Sequence, residues 1–131
     1  MAGSTPLTAG GNIYPCRFVK YSDDYKVTQA TANDPVFGIS QMGTNVPPIP
    51  DVTSQYAAVS GQTLHVFQDG EECLLELAAS LTAGTKLKSD ANGKGVAVGT
   101  GSVQEMGAIL LEDGGDGELR KVRVQRVGAT L

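Results

Sequence analysis

Lys86-Leu87-Lys88-Ser89-Asp90-Ala91-Asn92-Gly93-Lys94-Gly95-Val96-Ala97-Val98 decides the fold class of this chain. Two short runs flank a turn, and in the first of them apolar and polar residues alternate, the period of a strand with one face buried. Between them stands Asn92-Gly93, the dipeptide that best tolerates positive φ, so a tight hairpin with both residues in that region is expected.

Working outward toward the C-terminus, residues 105–112 (EMGAILLE) form the most apolar strand. Asp113-Gly114-Gly115-Asp116-Gly117 turns the chain into a last strand over residues 119–127. There Val122 and Val124 face inward, and Lys121, Arg123 and Gln125 face outward. Toward the N-terminus, residues 71–79 (EECLLELAA) read two ways. A helix capped by Asp69 competes with a strand in which Cys73, Leu75 and Leu77 alternate with Glu72 and Glu76; the alternation favours the strand. Leu64 and Val66 share a face of another strand, closed by a turn at Asp69-Gly70. Further strands are expected at 16–20, with Cys16 and Phe18 on one face, at 25–29 and at 36–42.

The totals agree with an all-β class. The chain has 131 residues, 40% hydrophobic, with 17 glycines and 6 prolines that disfavour helix interiors. One core suffices for this length, and the expected architecture is a compact antiparallel β-sandwich or small β-barrel over residues 15–131. Residues 1–14 are expected to be a flexible N-terminal arm, because 1–12 (MAGSTPLTAGGN) carry no charged side chain and little apolar surface. A proline-rich loop spans 43–61; Pro47, Pro48 and Pro50 exclude a central strand there. Long loops in small domains often carry function, which makes this one a candidate contact surface.

A weak internal echo runs through the chain. Ser22-Asp23-Asp24-Tyr25-Lys26-Val27 resembles Ser89-Asp90-Ala91-Asn92-Gly93-Lys94, and Val36-Phe37-Gly38-Ile39 resembles Met106-Gly107-Ala108-Ile109. The two halves would then share one plan, with the proline-rich loop inserted in the first.

Function classes can be excluded by what is missing. A net charge of −4 and ten basic residues against fourteen acidic ones oppose binding to a phosphate backbone, so no nucleic-acid partner is expected. No run is long enough for a membrane-spanning helix, and no membrane partner is expected. Gly99-Thr100-Gly101-Ser102 lacks the lysine and spacing of a phosphate-binding loop, and Ser102 is not in a nucleophile elbow. The lone His65 is expected on a solvent face opposite Leu64 and Val66, with no nucleophile placed beside it. Adjacent acids such as Asp23-Asp24 and Glu71-Glu72 would point to opposite strand faces, which makes them poor acid–base pairs. Asp90, Asn92 and Gly93 begin like a calcium loop, but Gly101 stands where its closing glutamate belongs. Cys16 and Cys73 sit in no metal-ligand pattern and are expected to be buried, reduced thiols of a protein made in a cytoplasm. No catalytic residue, metal or cofactor is therefore expected.

The stretch Leu81-Thr82-Ala83-Gly84-Thr85-Lys86-Leu87-Lys88-Ser89-Asp90-Ala91-Asn92-Gly93-Lys94-Gly95-Val96 resembles a pattern in bacteriophage capsid cement, or head-decoration, proteins. It has an Ala-Gly-x-x-Leu step, an Asp-x-x-Gly-Lys hairpin and a following glycine-containing strand, Met106-Gly107-Ala108-Ile109-Leu110. Gly117-Glu118-Leu119-Arg120-Lys121-Val122-Arg123-Val124 supplies the closing strand, so the likeness covers about residues 60–127. The resemblance implies a virion structural protein on the outer capsid surface, often a homotrimer. Its partner would be the major capsid protein, which it would brace against internal DNA pressure. On this reading, capsid contacts are expected from Ser4, Thr5, Pro6 and Leu7 of the arm, which would order on binding. Val46, Pro47, Pro48, Ile49 and Pro50 of the stiff loop would dock with little entropy loss. Competing readings are another virion or adhesion module, such as a fibre base, and a small-ligand-binding β-domain. Low aromatic content with no Trp argues against the latter.

Overall fold

A computed structural model describes residues 5–23, 25–32, 36–42, 56–98 and 106–127. The fold is all-β. The first five strands are β1 (Thr5–Ala9), β2 (Phe18–Asp23), β3 (Lys26–Gln29), β4 (Gly38–Ser40) and β5 (Thr63–Phe67). They close into a barrel in the order β1-β3-β2-β4-β5. The remaining five are β6 (Glu72–Glu76), β7 (Lys86–Ser89), β8 (Gly95–Ala97), β9 (Met106–Leu110) and β10 (Leu119–Val127). They form a second sheet in the order β6-β10-β9-β7-β8.

The barrel corrects the expectation of a flexible arm. β1 lies between two neighbours, antiparallel to β5 through Leu7↔Leu64 and parallel to β3 through Ala9↔Val27. Leu7 and Ala9 are buried in the barrel with Ile13, Val19, Val27, Leu64 and Val66. The segment has little apolar surface of its own, but the flanking strands satisfy its backbone and the interior takes its two apolar residues. Ile13, the last apolar residue before the turn, forms a bridge to Ala58.

The second sheet repeats the barrel strand for strand. In both, the first strand pairs antiparallel with the fifth, the second with the third and fourth. The fourth also pairs antiparallel with the fifth in each unit. Even the parallel β1–β3 contact has its counterpart, a bridge Leu77↔Gly95 that joins the two edges of the second sheet. Local details follow. The isolated bridge Ile13↔Ala58 matches Leu81↔Gly114. The turn before β5 bonds Gln62 N to Val59 O at 3.0 Å, and that before β10 bonds Glu118 N to Gly115 O at 3.1 Å. Each turn is also clasped by the equivalent side chain, Gln62 Oε1 accepting from Val59 N and Glu118 Oε1 from Gly115 N. Positive φ recurs at Cys16 and Gly84, at Tyr25 and Gly93, and at Gly61 and Gly117. The register also equates Gly38-Ile39 with Ala108-Ile109, since Val19↔Gly38 corresponds to Leu87↔Ala108. This is the echo seen in the sequence. The connection from β4 to Ala58 runs through 41–57, whereas that from β9 to Gly114 is only 111–113, so the first unit carries the insertion.

The two units share a second core. Phe18, Ala30, Val36 and Ile39 on the outside of the barrel pack with Cys73, Leu75, Leu77, Leu87, Ala108, Leu110, Val122 and Val124 of the sheet. On β2, Val19 therefore points into the barrel and its neighbour Phe18 into the other unit. Gly107 makes this possible, because a Cβ there would stand 2.7 Å from Phe18 Cε1. The equivalent position in the first unit is Phe37, whose side chain packs on its own barrel core.

Other expectations sort by location. Residues 72–76 form a strand with Cys73 and Leu75 inward, and β10 buries Val122 and Val124 with Lys121, Arg123 and Gln125 exposed. Two expectations are corrected. Cys16 lies in a turn at φ 57 and not in the strand, which starts at Phe18. In the β7–β8 hairpin only Gly93 takes positive φ. The turn is longer than two residues, because Asp90 Oδ1 caps both Asn92 N and Lys94 N at 2.8 Å.

Candidate functional site

A cleft of about 320 Å³ opens at the seam between the units, lined by Tyr14, Pro15, Cys16, Arg17, Met42, Glu76 and Leu119. Four of these belong to the turn between β1 and β2. That turn is held from beneath by Ser40, which is fully buried on β4. Ser40 Oγ donates to Tyr14 O at 2.7 Å and accepts from Arg17 N at 3.1 Å. Gln29 Oε1 takes Tyr14 N at 2.9 Å, and Cys16 O receives Glu76 N at 3.0 Å. The cleft floor is thus built from both units.

Arg17 joins the seam together. Its Nε and Nη2 donate to Glu76 Oε1 at 3.3 and 3.2 Å, and its Nη1 donates to Asn92 O at 2.8 Å. The guanidinium carbon lies 4.8 Å from the centroid of the Tyr14 ring, a cation–π contact. Lys94 Nζ reaches the other Glu76 oxygen at 3.2 Å, so one carboxylate is held between two cations. The Asn92-Gly93 turn is anchored too: Gly93 O accepts from Phe18 N at 2.7 Å, and Asn92 O from Gln29 Nε2 at 2.9 Å. The β7–β8 hairpin is therefore also the latch between the units.

Above this polar floor the walls are apolar and aromatic. Met42 and Leu119 are 51% and 43% exposed and stand together at the rim. The Tyr14 ring packs against Tyr56 at a centroid distance of 4.9 Å. Hydrogen bonding and charge from the Tyr56 phenol push the Tyr14 phenol above its ordinary value. Burial, with Glu76 adding and Arg17 opposing, pushes the Cys16 thiol up to about 11. Burial pushes Cys73 to about 12. At neutral pH both are protonated, and a thiol is a weak nucleophile beside a thiolate. The site is equipped to hold an apolar or aromatic group beside a part-buried ion pair.

The proposed contact residues distribute differently. Thr5 and Pro6 pair with Val66 and His65 in the barrel wall, and Leu7 is buried, so its side chain is a core element and no docking group. Ser4, Val46, Pro47, Pro48, Ile49 and Pro50 lie outside the described residues. Of the residues that flank the proline-rich stretch, however, Met42 lines the cleft and Tyr56 stacks on its wall. His65 is exposed, as expected. Asp113 has a turn role: its Oδ1 accepts from Ala83 N at 2.8 Å. Among the described residues no group of three or more His, Cys, Asp or Glu is gathered as a metal site. Sequence reading passed over Tyr14-Pro15-Cys16-Arg17, an aromatic, a proline and a cation within four residues. Nothing local shows that Met42, Glu76 and Leu119 meet them.

No family model matches the chain, and no curated protein matches it. Among solved structures it is similar to the N base of the head fiber protein gp8.5 of bacteriophage phi29. The TM-score is 0.63 at 15% identity, covering 98% of this chain and 99% of that one. At that identity the likeness is one of fold, and it extends over both units.

Proposed function

We propose that this chain is a structural module of a phage virion that seats a fibre or similar projection on the head, with no catalytic role. The observation that carries the reading is the match over nearly the full length of both chains to a head fiber base. A closed barrel and a second sheet that share one core, with β1 built into the barrel wall, suit a rigid mount. The seam cleft, with exposed Met42 and Leu119 beside a fixed ion pair, is the surface on which a partner's apolar side chain would seat. The partner on this reading is the major capsid protein, and a homo-oligomer, a trimer among the choices, would supply several such contacts at once.

The resemblance of residues 60–127 to capsid cement proteins supports a second reading, in which the module braces the shell. One experiment separates them. Purified protein is mixed with undecorated heads, and binding and the heat resistance of the heads are both measured. Saturable binding without added heat resistance supports a mount. Binding that raises it supports cement, since a ligand of the assembled lattice stabilises that lattice. Absence of binding to any maturation state of the head would sink both.

A further inference from the structure

The internal repeat gives the two units equivalent outer walls. On the first barrel, that wall presents Phe18, Ile39 and Phe67 and is covered by the second unit. The same strand positions on the second unit are Lys86, Ile109 and Arg123, as the registers Phe18↔Ile39↔Phe67 and Lys86↔Ile109↔Arg123 require. We propose that this second wall is also an interaction surface, and that its occupant is an acidic surface of another protein.

Charge decides the occupant. The chain carries −4 overall, yet this wall gathers Lys86, Lys88, Lys121 and Arg123, four of its ten cations. Burial alternates along β7 and β10 so that all four point away from the core, while Leu87, Ser89, Val122 and Val124 point into it. The acid on the same row, Glu72, is already bridged to Arg123 at 3.0 Å. Among the described residues neither Lys86 nor Lys121 makes an ion pair. Partly exposed Ile109 lies on β9 between the cations, partly exposed Leu74 lies beside Lys121 on β6, and Leu111 is 37% exposed. The cations on β7 and β10 stand two strands apart, roughly 10 Å, with β9 and its Ile109 between them. Lysine and arginine stems flanking aliphatic side chains suit a partner that offers carboxylates around a small apolar centre. A nucleic acid fits less well, because no exposed aromatic accompanies the cations on this wall.

Where that partner is on the phage head, the inference rests on the reading above, and the test keeps the two apart. The double reversal K86E/R123E is compared with the unaltered chain, with circular dichroism melting as the fold control and K86A/R123A as a milder variant. Heads and an octaglutamate peptide are the two probes, the peptide followed by amide chemical shifts. The expected result is peptide shifts confined to β7, β9 and β10 that vanish on reversal and fade with added salt. Head binding should weaken about tenfold or more in the reversed variant with melting unchanged. If the reversed variant binds heads as tightly as the unaltered chain, the surface assignment is overturned and the virion reading stands. If the peptide maps to this wall while heads are not bound, the virion reading fails and the surface stands. Shifts absent or spread over both units overturn the surface. Self-association through this wall, abolished by the reversal, would overturn the choice of a foreign partner.

Discussion

At position 107 a Cβ would stand 2.7 Å from Phe18 Cε1 and 3.0 Å from Val36 Cγ1, so glycine there is what lets one unit's ring enter the other. Gly107→Ala should lose about 1–3 kcal/mol in urea unfolding, the usual range for overpacking a core. Gly11→Ala, with nothing within 4 Å, is the matched control and should be near neutral. Arg17 is the second residue of this kind, its guanidinium shared between Glu76 and the Asn92 carbonyl. Arg17→Ala should cost about 2 kcal/mol, because Glu76 Oε1 loses its guanidinium donors and Asn92 O keeps only Gln29. Arg17→Lys should recover less than half, since an ammonium cannot reproduce the planar fork. Equal stability of both variants and the parent would remove Arg17 as a latch.

The two thiols give a residue-level pH dependence. Their folded values, about 11 for Cys16 and about 12 for Cys73, lie above the ordinary value of 9.0. An unfolded chain therefore releases these protons first as pH rises. The stability they contribute is full below about pH 9 and is lost as pH climbs through 11 and 12, by up to about 1.4 kcal/mol per pH unit for each thiol. Melting temperature measured from pH 7 to 11 should fall above pH 9, and the fall should be shallower in C16A/C73A. An identical slope in that variant would assign the loss to other groups.

At the scale of the element, turns and strands differ in how much of themselves they determine. The β7–β8 turn is self-contained: Asp90 caps two amides and Gly93 supplies the positive φ. Asp90→Ala should lose about 1–2 kcal/mol, and amide exchange should quicken first at Asn92 and Lys94. The loss should extend to the seam, because the same turn carries the carbonyls that Arg17, Gln29 and Phe18 N hold. Such a turn was legible in the sequence, although its length was not: the Asp90 cap, not Asn-Gly alone, sets the hairpin. Strand β6 was legible through alternation, which overrode the helix-favouring composition of EECLLELAA once Cys73 and Leu75 had a core to enter. Strand β1 was not legible, because what makes it a strand lies in β3 and β5.

For the whole molecule, β1 is the closing stave of the first barrel, so removal of residues 1–9 tests the architecture. The truncated chain should lose more than about 3 kcal/mol, from the burial of Leu7 and Ala9 and the opened hydrogen-bond ladder. Exchange should rise in both units, because the barrel wall bearing Phe18 and Ile39 is half of the shared core. A truncated chain that melts like the parent would show β1 to be dispensable. The repeat also changes the character of the outer wall from one unit to the next: the positions of Phe18 and Phe67, which seat the second unit, are Lys86 and Arg123 on that unit's own wall.

By itself the sequence determined the all-β class and most strand faces; of the duplicated plan it carried only a weak echo, correct for Gly38-Ile39 with Ala108-Ile109 and one residue out of register at Tyr25, which the structure matches to Gly93. All of these rest on local information, since strand period and turn chemistry are properties of adjacent residues. Only the tertiary structure decided that the uncharged N-terminal segment is a barrel strand. It alone placed Phe18 in the space left by Gly107, and brought Tyr14, Arg17, Met42, Glu76 and Leu119 around one cleft. Those outcomes depend on partners far apart in the chain, where hydrogen bonds and burial are supplied by other strands and leave no periodic trace in the residues that receive them.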